Sequence, residues 1–123
     1  MSIEKHIDRD RNLTTFKTTG ILSFDEFSEA IEGFYAAGPT DYVILDFSEA
    51  EGTGVQYTSE RLTQLVRFAE ANRTGQENGK TAILVNKEVH YDLGRMVEAF
   101  TADRPIQYRV FYEMEESIKW LFE

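Results

Sequence analysis

Cysteine is absent from this 123-residue chain, and basic residues are scarce. Without cysteine the chain can form no disulfide, no thiolate metal site and no cysteine nucleophile. Only 13 Lys and Arg stand against 22 Asp and Glu, which gives a formal net charge of −9. Nonspecific nucleic-acid binding needs an excess of cations to neutralise phosphates, and permanent attachment to an anionic membrane needs the same. The composition therefore weighs against both.

Long apolar runs are missing as well. The first six residues carry no apolar signal-peptide core, and no stretch approaches the length that would span a membrane. Hydrophobic residues make up 41% of the chain and charged residues 28%, which is ordinary for a globular protein of this size. We therefore expect a single domain over residues 1–123, located in the cytoplasm.

Known cofactor and metal motifs are also absent. The glycine pair of Gly52-Thr53-Gly54 lacks the later glycine of a dinucleotide-binding loop and the Lys of a P-loop. His6 and Asp8 form an isolated pair with no third residue at ligand spacing. We expect no cofactor and no metal.

What the sequence does contain is an alternation of strand and helix patterns. Two short strands around a polar turn at 8–12 predict an N-terminal hairpin. Ser23 followed by Glu26 is a capping box and marks the first helix, which Gly38-Pro39 ends. Parallel neighbours need crossover helices, so the order β-β-α-β-α-β-α-β-α predicts an α/β fold with a mostly parallel sheet of about five strands and about four helices. Strands are predicted at 3–7, 13–18, 42–47, 81–85 and 107–111, and later helices are predicted to start near 58, 91 and 113.

The run 42–47 is the most informative segment. It is apolar and rich in β-branched residues, it ends near the carboxylate of Asp46, and a loop containing Gly52, Thr53 and Gly54 follows. In open α/β sheets ligands gather at the carboxyl ends of such strands, so these four residues are predicted to lie at a functional edge. A structural alternative is that Asp46 accepts hydrogen bonds from the amides of residues 52–54 and thereby holds the loop.

Four pieces of the chain, at 20–27, 43–47, 94–96 (Gly-Arg-Met) and 110–121, together resemble the STAS domains, in particular the small stand-alone SpoIIAA-like bacterial proteins. The resemblance implies the STAS fold and a binding or regulatory module that contacts a protein partner. It also implies a phosphorylated serine after the strand at 42–47, in an Asp-Ser-Ser-Gly motif that this chain lacks. SpoIIAA-like proteins are also compared with the CRAL-TRIO lipid-binding fold, which implies a small apolar ligand as an alternative.

The phosphoacceptor position can be supplied only by Thr58 or Ser59. A helix N-terminus would stabilise an added phosphate through its backbone N–H groups. The simpler interpretation is that one of the two hydroxyls caps the second helix, since Ser and Thr are favoured at that position. Glu60 beside them would repel a phosphate and favours the cap.

A polar cluster of His90, Tyr91, Asp92 and Arg95 lies between a predicted strand and helix. A histidine near a carboxylate and an arginine can perform acid–base chemistry or hold an anion, so an enzyme is one hypothesis. In the alternative interpretation His90 is solvated, Asp92 caps the helix and Arg95 has a structural or docking role.

Aromatic residues are numerous, with nine Phe, six Tyr and one Trp, and their surplus can fill a core or line an apolar pocket. Trp120, Leu121 and Phe122 are consecutive and cannot all face one core, so one is predicted at an edge, where a homodimer contact is possible. We expect a non-catalytic module with a protein partner at the edge formed by the loop after 42–47 and the 90–95 region. The alternatives are a carrier of an apolar or lipid-like ligand and, third, an enzyme using His90, Asp92 and Arg95.

Overall fold

The computed structural model of the protein describes residues 3–73 and 79–123, and the element order in them is the predicted one. The third helix begins three residues before the predicted Tyr91, and the third strand continues past residue 47 to Ala50. The elements are β1 (Ile3–Asp8), β2 (Leu13–Gly20), α1 (Phe24–Ala36), β3 (Tyr42–Ala50), α2 (Ser59–Ala71), β4 (Lys80–Leu84), α3 (Glu88–Thr101), β5 (Gln107–Phe111) and α4 (Met114–Leu121).

The strands form one five-stranded sheet in the order β1-β2-β3-β4-β5. β1 pairs antiparallel with β2, as expected for a hairpin, and the three remaining pairs are parallel. Right-handed crossovers between successive neighbouring strands all pass over the same face of the sheet. The helices α1, α2 and α3 accordingly pack on one face, and only α4 packs on the other.

Two hydrophobic cores result, one on each face of the sheet. Along β3 the side chains alternate: Val43 and Leu45 belong to the core under α1–α3, whereas Ile44 belongs to the smaller core under α4. On α4, Trp120 and Leu121 are buried, while Phe122 is 40% exposed and lies with its ring centroid 4.8 Å from that of Tyr42. The prediction that one of the three consecutive apolar residues lies at an edge is therefore confirmed.

The helix α3 lies close to β5 because it carries a glycine at the point of contact. A Cβ atom added to Gly94 would lie 2.6 Å from Cγ2 and 2.8 Å from Cβ of Val110, closer than carbon atoms approach. One turn further on, Glu98 Oε2 accepts a hydrogen bond of 2.7 Å from the backbone N–H of Val110. That carboxylate accepts from a donor on β5, an edge strand that has a neighbouring strand, β4, on one side only.

Candidate functional site

A cavity of about 310 Å³ lies between the sheet and the three helices on its larger face. Its floor consists of side chains from β2, β3, β4 and β5, and its sides come from all three helices. Nearly all of these side chains are aliphatic or aromatic, so the cavity offers an apolar environment to whatever enters it. The floor and sides include Phe16, Val43, Leu45, Ile83, Phe27, Ile31, Phe34, Leu62, Leu65, Val66, Ala69, Leu93 and Val97.

The loop 51–57, which joins β3 to α2, forms the roof of the cavity. Gly52 and Gly54 both have positive φ angles, of 87° and 71°, which L-residues with side chains rarely adopt. A Cβ atom on Gly54 would also meet Cδ1 of Leu93 at 2.5 Å. The two glycines therefore allow the loop to fold down onto α3 at this point.

Polar contacts fix the roof at several points. The hydroxyl of Tyr57 donates a hydrogen bond of 2.8 Å to the carbonyl oxygen of Leu22, and the backbone N–H of Glu51 donates one of 2.8 Å to Gly20. Arg61 donates a further one of 3.1 Å to the carbonyl of Gln56. The roof is thus joined to the neighbouring connection between β2 and α1 and to the start of α2.

His90, in the first turn of α3, lines the cavity and meets the roof. Its Nε2 atom lies 3.0 Å from the carbonyl oxygen of Gly52. Its Nδ1 atom is buried and has no hydrogen-bond partner among the residues that the structure describes. A buried polar atom without a partner is uncommon, because it loses its contacts with water and gains nothing in return.

Two tyrosines on the cavity wall have perturbed acidities. Burial raises the pKa of Tyr57, and the nearby charge of Glu26 adds to the effect. Burial also raises the pKa of Tyr108, with smaller contributions from Tyr35 and Glu70. The low-polarity surroundings disfavour the phenolate in both cases, so these hydroxyls stay protonated at neutral pH.

Some of the residues predicted at the functional edge meet at this cavity. Gly52, Thr53 and Gly54 from the roof line it together with His90 from α3, across 38 positions of sequence. Arg95 instead pairs with Glu98 at 3.3 Å and is largely exposed. Among the predicted residues, those that do not line the cavity are Asp46, Thr58, Ser59, Asp92 and Arg95.

The Asp46 carboxylate is hydrogen-bonded to the backbone, but the partners predicted for it are wrong. Its Oδ1 atom accepts hydrogen bonds from the backbone N–H of Ser48 at 2.9 Å and from the Ser48 hydroxyl at 2.6 Å, not from the amides of residues 52–54. The register of β2 against β3 shifts here, because two residues of β3 oppose Thr18 alone. Such a bulge leaves a backbone donor unpaired, and Asp46 accepts from that donor. Its side chain lies on the α4 face of the sheet, since Leu45 next to it faces α1–α3.

Residues were proposed as caps for α2 and α3, and the structure supports Thr58 but not Asp92. Thr58 is the N-cap of α2, and its hydroxyl oxygen accepts a hydrogen bond of 3.2 Å from the backbone N–H of Arg61, so the cap interpretation is confirmed. Asp92 is not a cap, because α3 already begins at Glu88, and its N-cap Lys87 makes no side-chain cap bond.

The hypothesis that His90, Asp92 and Arg95 converge receives no support from the helix. Residues two positions apart lie on nearly opposite sides of an α-helix, so Asp92 points away from the side on which His90 meets the roof. Arg95 is engaged with Glu98 instead. The three side chains do not form a common site.

Exposed apolar side chains concentrate at the same end of the sheet. Of the six large hydrophobic residues that are exposed in the described part of the chain, five follow the carboxyl ends of β2, β3, β4 and β5, and the sixth is Phe122. The most exposed are Val55 on the roof, at 80%, and Ile21 beside it, at 67%. Sequence reasoning missed both residues, although the aliphatic side chain of Val55 in a loop with two glycines was a usable signal. The other three are Val89, Tyr112 and Met114.

Within residues 3–73 and 79–123 no group of three or more His, Asp or Glu side chains is placed to hold a metal ion. In the same part of the chain no helix has both the length and the apolar character needed to cross a membrane.

No protein-family model matches the chain. No curated protein sequence matches it either. Among solved structures it is similar to an uncharacterised protein of the DUF3478 family from Shewanella loihica PV-4, described as having a SpoIIAA-like fold. The two chains are 17% identical, the match covers 97% of this chain and 91% of that one, and the TM-score is 0.61. At this identity the likeness concerns the fold. The five-stranded mixed sheet with four helices matches that SpoIIAA-like α/β fold.

Proposed function

We propose that the protein reversibly binds a small apolar ligand in the cavity between the sheet and α1–α3. The observation that carries this proposal is the cavity itself, about 310 Å³ of apolar space between the sheet and the helices, which opens to solvent beside the exposed residues Ile21 and Val55. Interiors of small domains are normally packed to crystal density, and unfilled apolar volume costs stability. A chain with this many large aromatic residues has the volume to fill such a space, and a retained cavity is therefore better explained by an occupant.

The volume sets the size of the part of a ligand that the cavity can enclose. A water-sized group occupies about 30 Å³ of liquid, so the cavity accommodates about ten non-hydrogen atoms. An eight-carbon chain fits this limit. Burial contributes about 0.8 kcal/mol per CH₂ group, or about 6 kcal/mol for such a chain. The loss of translational freedom and the ordering of the chain offset part of this, so a Kd on the order of tens of micromolar is the tightest expected.

The direct test is isothermal titration of 1-octanol into the purified protein and into two matched variants. Ala69 lines the cavity and is buried, whereas Ala71 lies two residues further along α2 and is exposed. Ala69→Leu adds three carbon atoms to the cavity wall, which removes roughly 90 Å³ of its space at about 30 Å³ per group. Ala71→Leu makes the same chemical change on the outside of the same helix.

We expect wild type and Ala71→Leu to bind 1-octanol with equal affinity, and Ala69→Leu to bind at least tenfold more weakly. Native mass spectrometry of the protein as purified supplies a second readout, because a resident ligand adds mass that denaturation removes. The proposal is refuted if no apolar compound of this size binds wild type, or if Ala69→Leu binds as well as Ala71→Leu does.

A second candidate function is contact with a protein partner at the carboxyl end of the sheet. It is favoured by the concentration of exposed apolar side chains there, with Ile21 and Val55 on or beside the roof. Exposed apolar groups that cluster are typical of interaction surfaces. The test is affinity purification from the cells that make the protein, with wild type and with Val55→Glu as bait. A partner that is retained by wild type and lost with Val55→Glu supports this function, and identical sets of retained proteins count against it.

A further inference from the structure

Two residues at the mouth of the cavity point to the length of the ligand. Ile21 and Val55 both line the cavity, yet they are also the most exposed large hydrophobic side chains in the described part of the chain, at 67% and 80%. We propose that the aliphatic chain of the ligand is longer than the cavity and leaves it across Ile21 and Val55, so that the ligand is a long-chain amphiphile of about twelve carbons or more. This inference rests on the proposed function, because it concerns the part of the same ligand that the cavity does not enclose.

The position of these two side chains distinguishes them from the other exposed apolar residues. Val89, Tyr112 and Met114 are exposed at the same end of the sheet, but they do not line the cavity. Single exposed apolar side chains are ordinary on protein surfaces. Two that continue the lining of an apolar cavity to the outer surface instead extend the apolar area that a ligand can contact.

Contacts with the roof and within it fix the positions of Ile21 and Val55. A Cβ atom on Gly52 would lie 3.5 Å from Cγ1 of Ile21, an ordinary van der Waals distance, so this side chain lies against the roof. Val55 lies in a turn that is closed by a hydrogen bond of 2.9 Å from the backbone N–H of Tyr57 to the carbonyl oxygen of Gly54. A side chain that is already positioned loses little freedom when a ligand contacts it, so such a contact favours binding.

The volume of the cavity determines how much of a chain passes the mouth. About ten non-hydrogen atoms fill 310 Å³ at about 30 Å³ each, so a chain longer than about eight or nine carbons must protrude. The lining is mostly aliphatic and aromatic, and a polar head group placed among these side chains would lose its hydrogen bonds to water. The chain therefore enters with its terminal methyl group first, and the segment next to the head group is the one that crosses Ile21 and Val55.

The test measures affinity by isothermal titration along a series of unbranched alcohols, 1-hexanol, 1-octanol, 1-decanol and 1-dodecanol. The protein is titrated into each alcohol, which keeps the longer alcohols below their solubility limits. A CH₂ group that is fully buried strengthens binding about fourfold, and one that is covered on one side strengthens it about twofold. We therefore expect affinity to rise about 15-fold from 1-hexanol to 1-octanol, and again about 15-fold over the four carbons from 1-octanol to 1-dodecanol.

Substitutions at the mouth show whether the protruding carbons contact the proposed residues. The double variant Ile21→Ser, Val55→Ser removes both apolar side chains, so its ratio of 1-dodecanol to 1-octanol affinity should fall to about a third of the wild-type ratio or less. Val89→Ser makes the same change at an exposed valine of α3 that does not line the cavity, and it should keep the wild-type ratio. Because each ratio is taken within one variant, it is insensitive to an effect of the substitutions on the cavity as a whole.

A second measurement uses wild type alone. In ¹H–¹³C NMR spectra the methyl resonances of Ile21 and Val55 should shift further on saturation with 1-dodecanol than on saturation with 1-octanol. The methyl resonances of Val89 serve as the internal control and should respond equally to the two alcohols.

The outcomes separate the two proposals. If 1-octanol does not bind wild type, the proposed function fails and this inference fails with it. If 1-octanol binds and the longer alcohols bind no more tightly, the cavity takes only short ligands, and the inference alone is overturned. An unchanged affinity ratio in the double variant would also overturn it, because the additional carbons would then lie elsewhere.

Discussion

Glu98 is predicted to stabilise the exposed edge of the sheet, and replacing it with alanine tests this directly. Its carboxylate accepts the 2.7 Å hydrogen bond from the Val110 backbone N–H, and its side chain is only 20% exposed. A hydrogen bond to a charged group contributes about 1.5–3 kcal/mol to stability. The better helix propensity of alanine offsets a few tenths of a kcal/mol of this loss. Loss of the exposed ion pair with Arg95 adds about 0.5 kcal/mol or less. We therefore expect Glu98→Ala to lower the free energy of unfolding by about 1–3 kcal/mol.

Urea denaturation measures this change. With a slope of about 2 kcal/mol per molar urea, the unfolding midpoint should fall by roughly 0.5–1.5 M. Arg95→Ala is the matched control, because it removes the ion pair and leaves the hydrogen bond to Val110, so its midpoint should move by no more than about 0.25 M. Glu98→Gln keeps an acceptor oxygen and should fall between the two. Equal midpoints for Glu98→Ala and Arg95→Ala would refute the role of Glu98 at the edge.

Three further predictions concern stability. Gly94→Ala should lower the free energy of unfolding by about 1–3 kcal/mol in urea titrations, because the added methyl group overlaps Val110. Adding Val110→Ala should recover part of that loss. If the two substitutions are instead fully additive, the overlap is contradicted. The raised pKa of Tyr108 means that its contribution to stability is complete below the unfolded value of about 10 and is lost as pH rises above it, by about 1.4 kcal/mol per pH unit. The urea midpoint of Tyr108→Phe should accordingly fall less between pH 9 and 11 than that of wild type, and parallel curves would show the idea to be wrong. Thr58→Ala should cost about 1 kcal/mol by thermal unfolding because it removes the α2 cap, whereas Ser59→Ala should have little effect; the reverse order would place the cap at Ser59.

Local patterns in the sequence predicted most of the architecture. The strand at 42–47 was recognisable because its residues are consecutively apolar, which is typical of a parallel strand covered on both faces. The start of α3 was predicted three residues too late, since Lys87 makes no side-chain cap bond and leaves no signal in the sequence. The extension of β3 to Ala50 was missed because Ser48 and Glu49 look like loop residues, although Ser48 together with Asp46 stabilises a bulge inside the strand.

The candidate site was only partly predictable. The rule that ligands gather at the carboxyl ends of parallel strands correctly brought Gly52 and His90 together from distant parts of the chain. The rule does not distinguish the two faces of the sheet, which is why Asp46 was grouped with Gly52 and His90. The cavity itself depends on how three helices pack over the sheet, and a list of aromatic residues does not reveal whether they fill the interior or surround a space.

A crystal structure of the protein with 8-bromo-1-octanol would test the central claim most directly, because bromine is located unambiguously by its anomalous signal. The compound has ten non-hydrogen atoms, which matches the estimated capacity of the cavity. We expect the bromine peak between the sheet and α1–α3, next to the side chains that line the cavity. A cavity that stays empty at saturating concentration, or bromine found only on the outer surface, would contradict the claim that this space is a ligand-binding site.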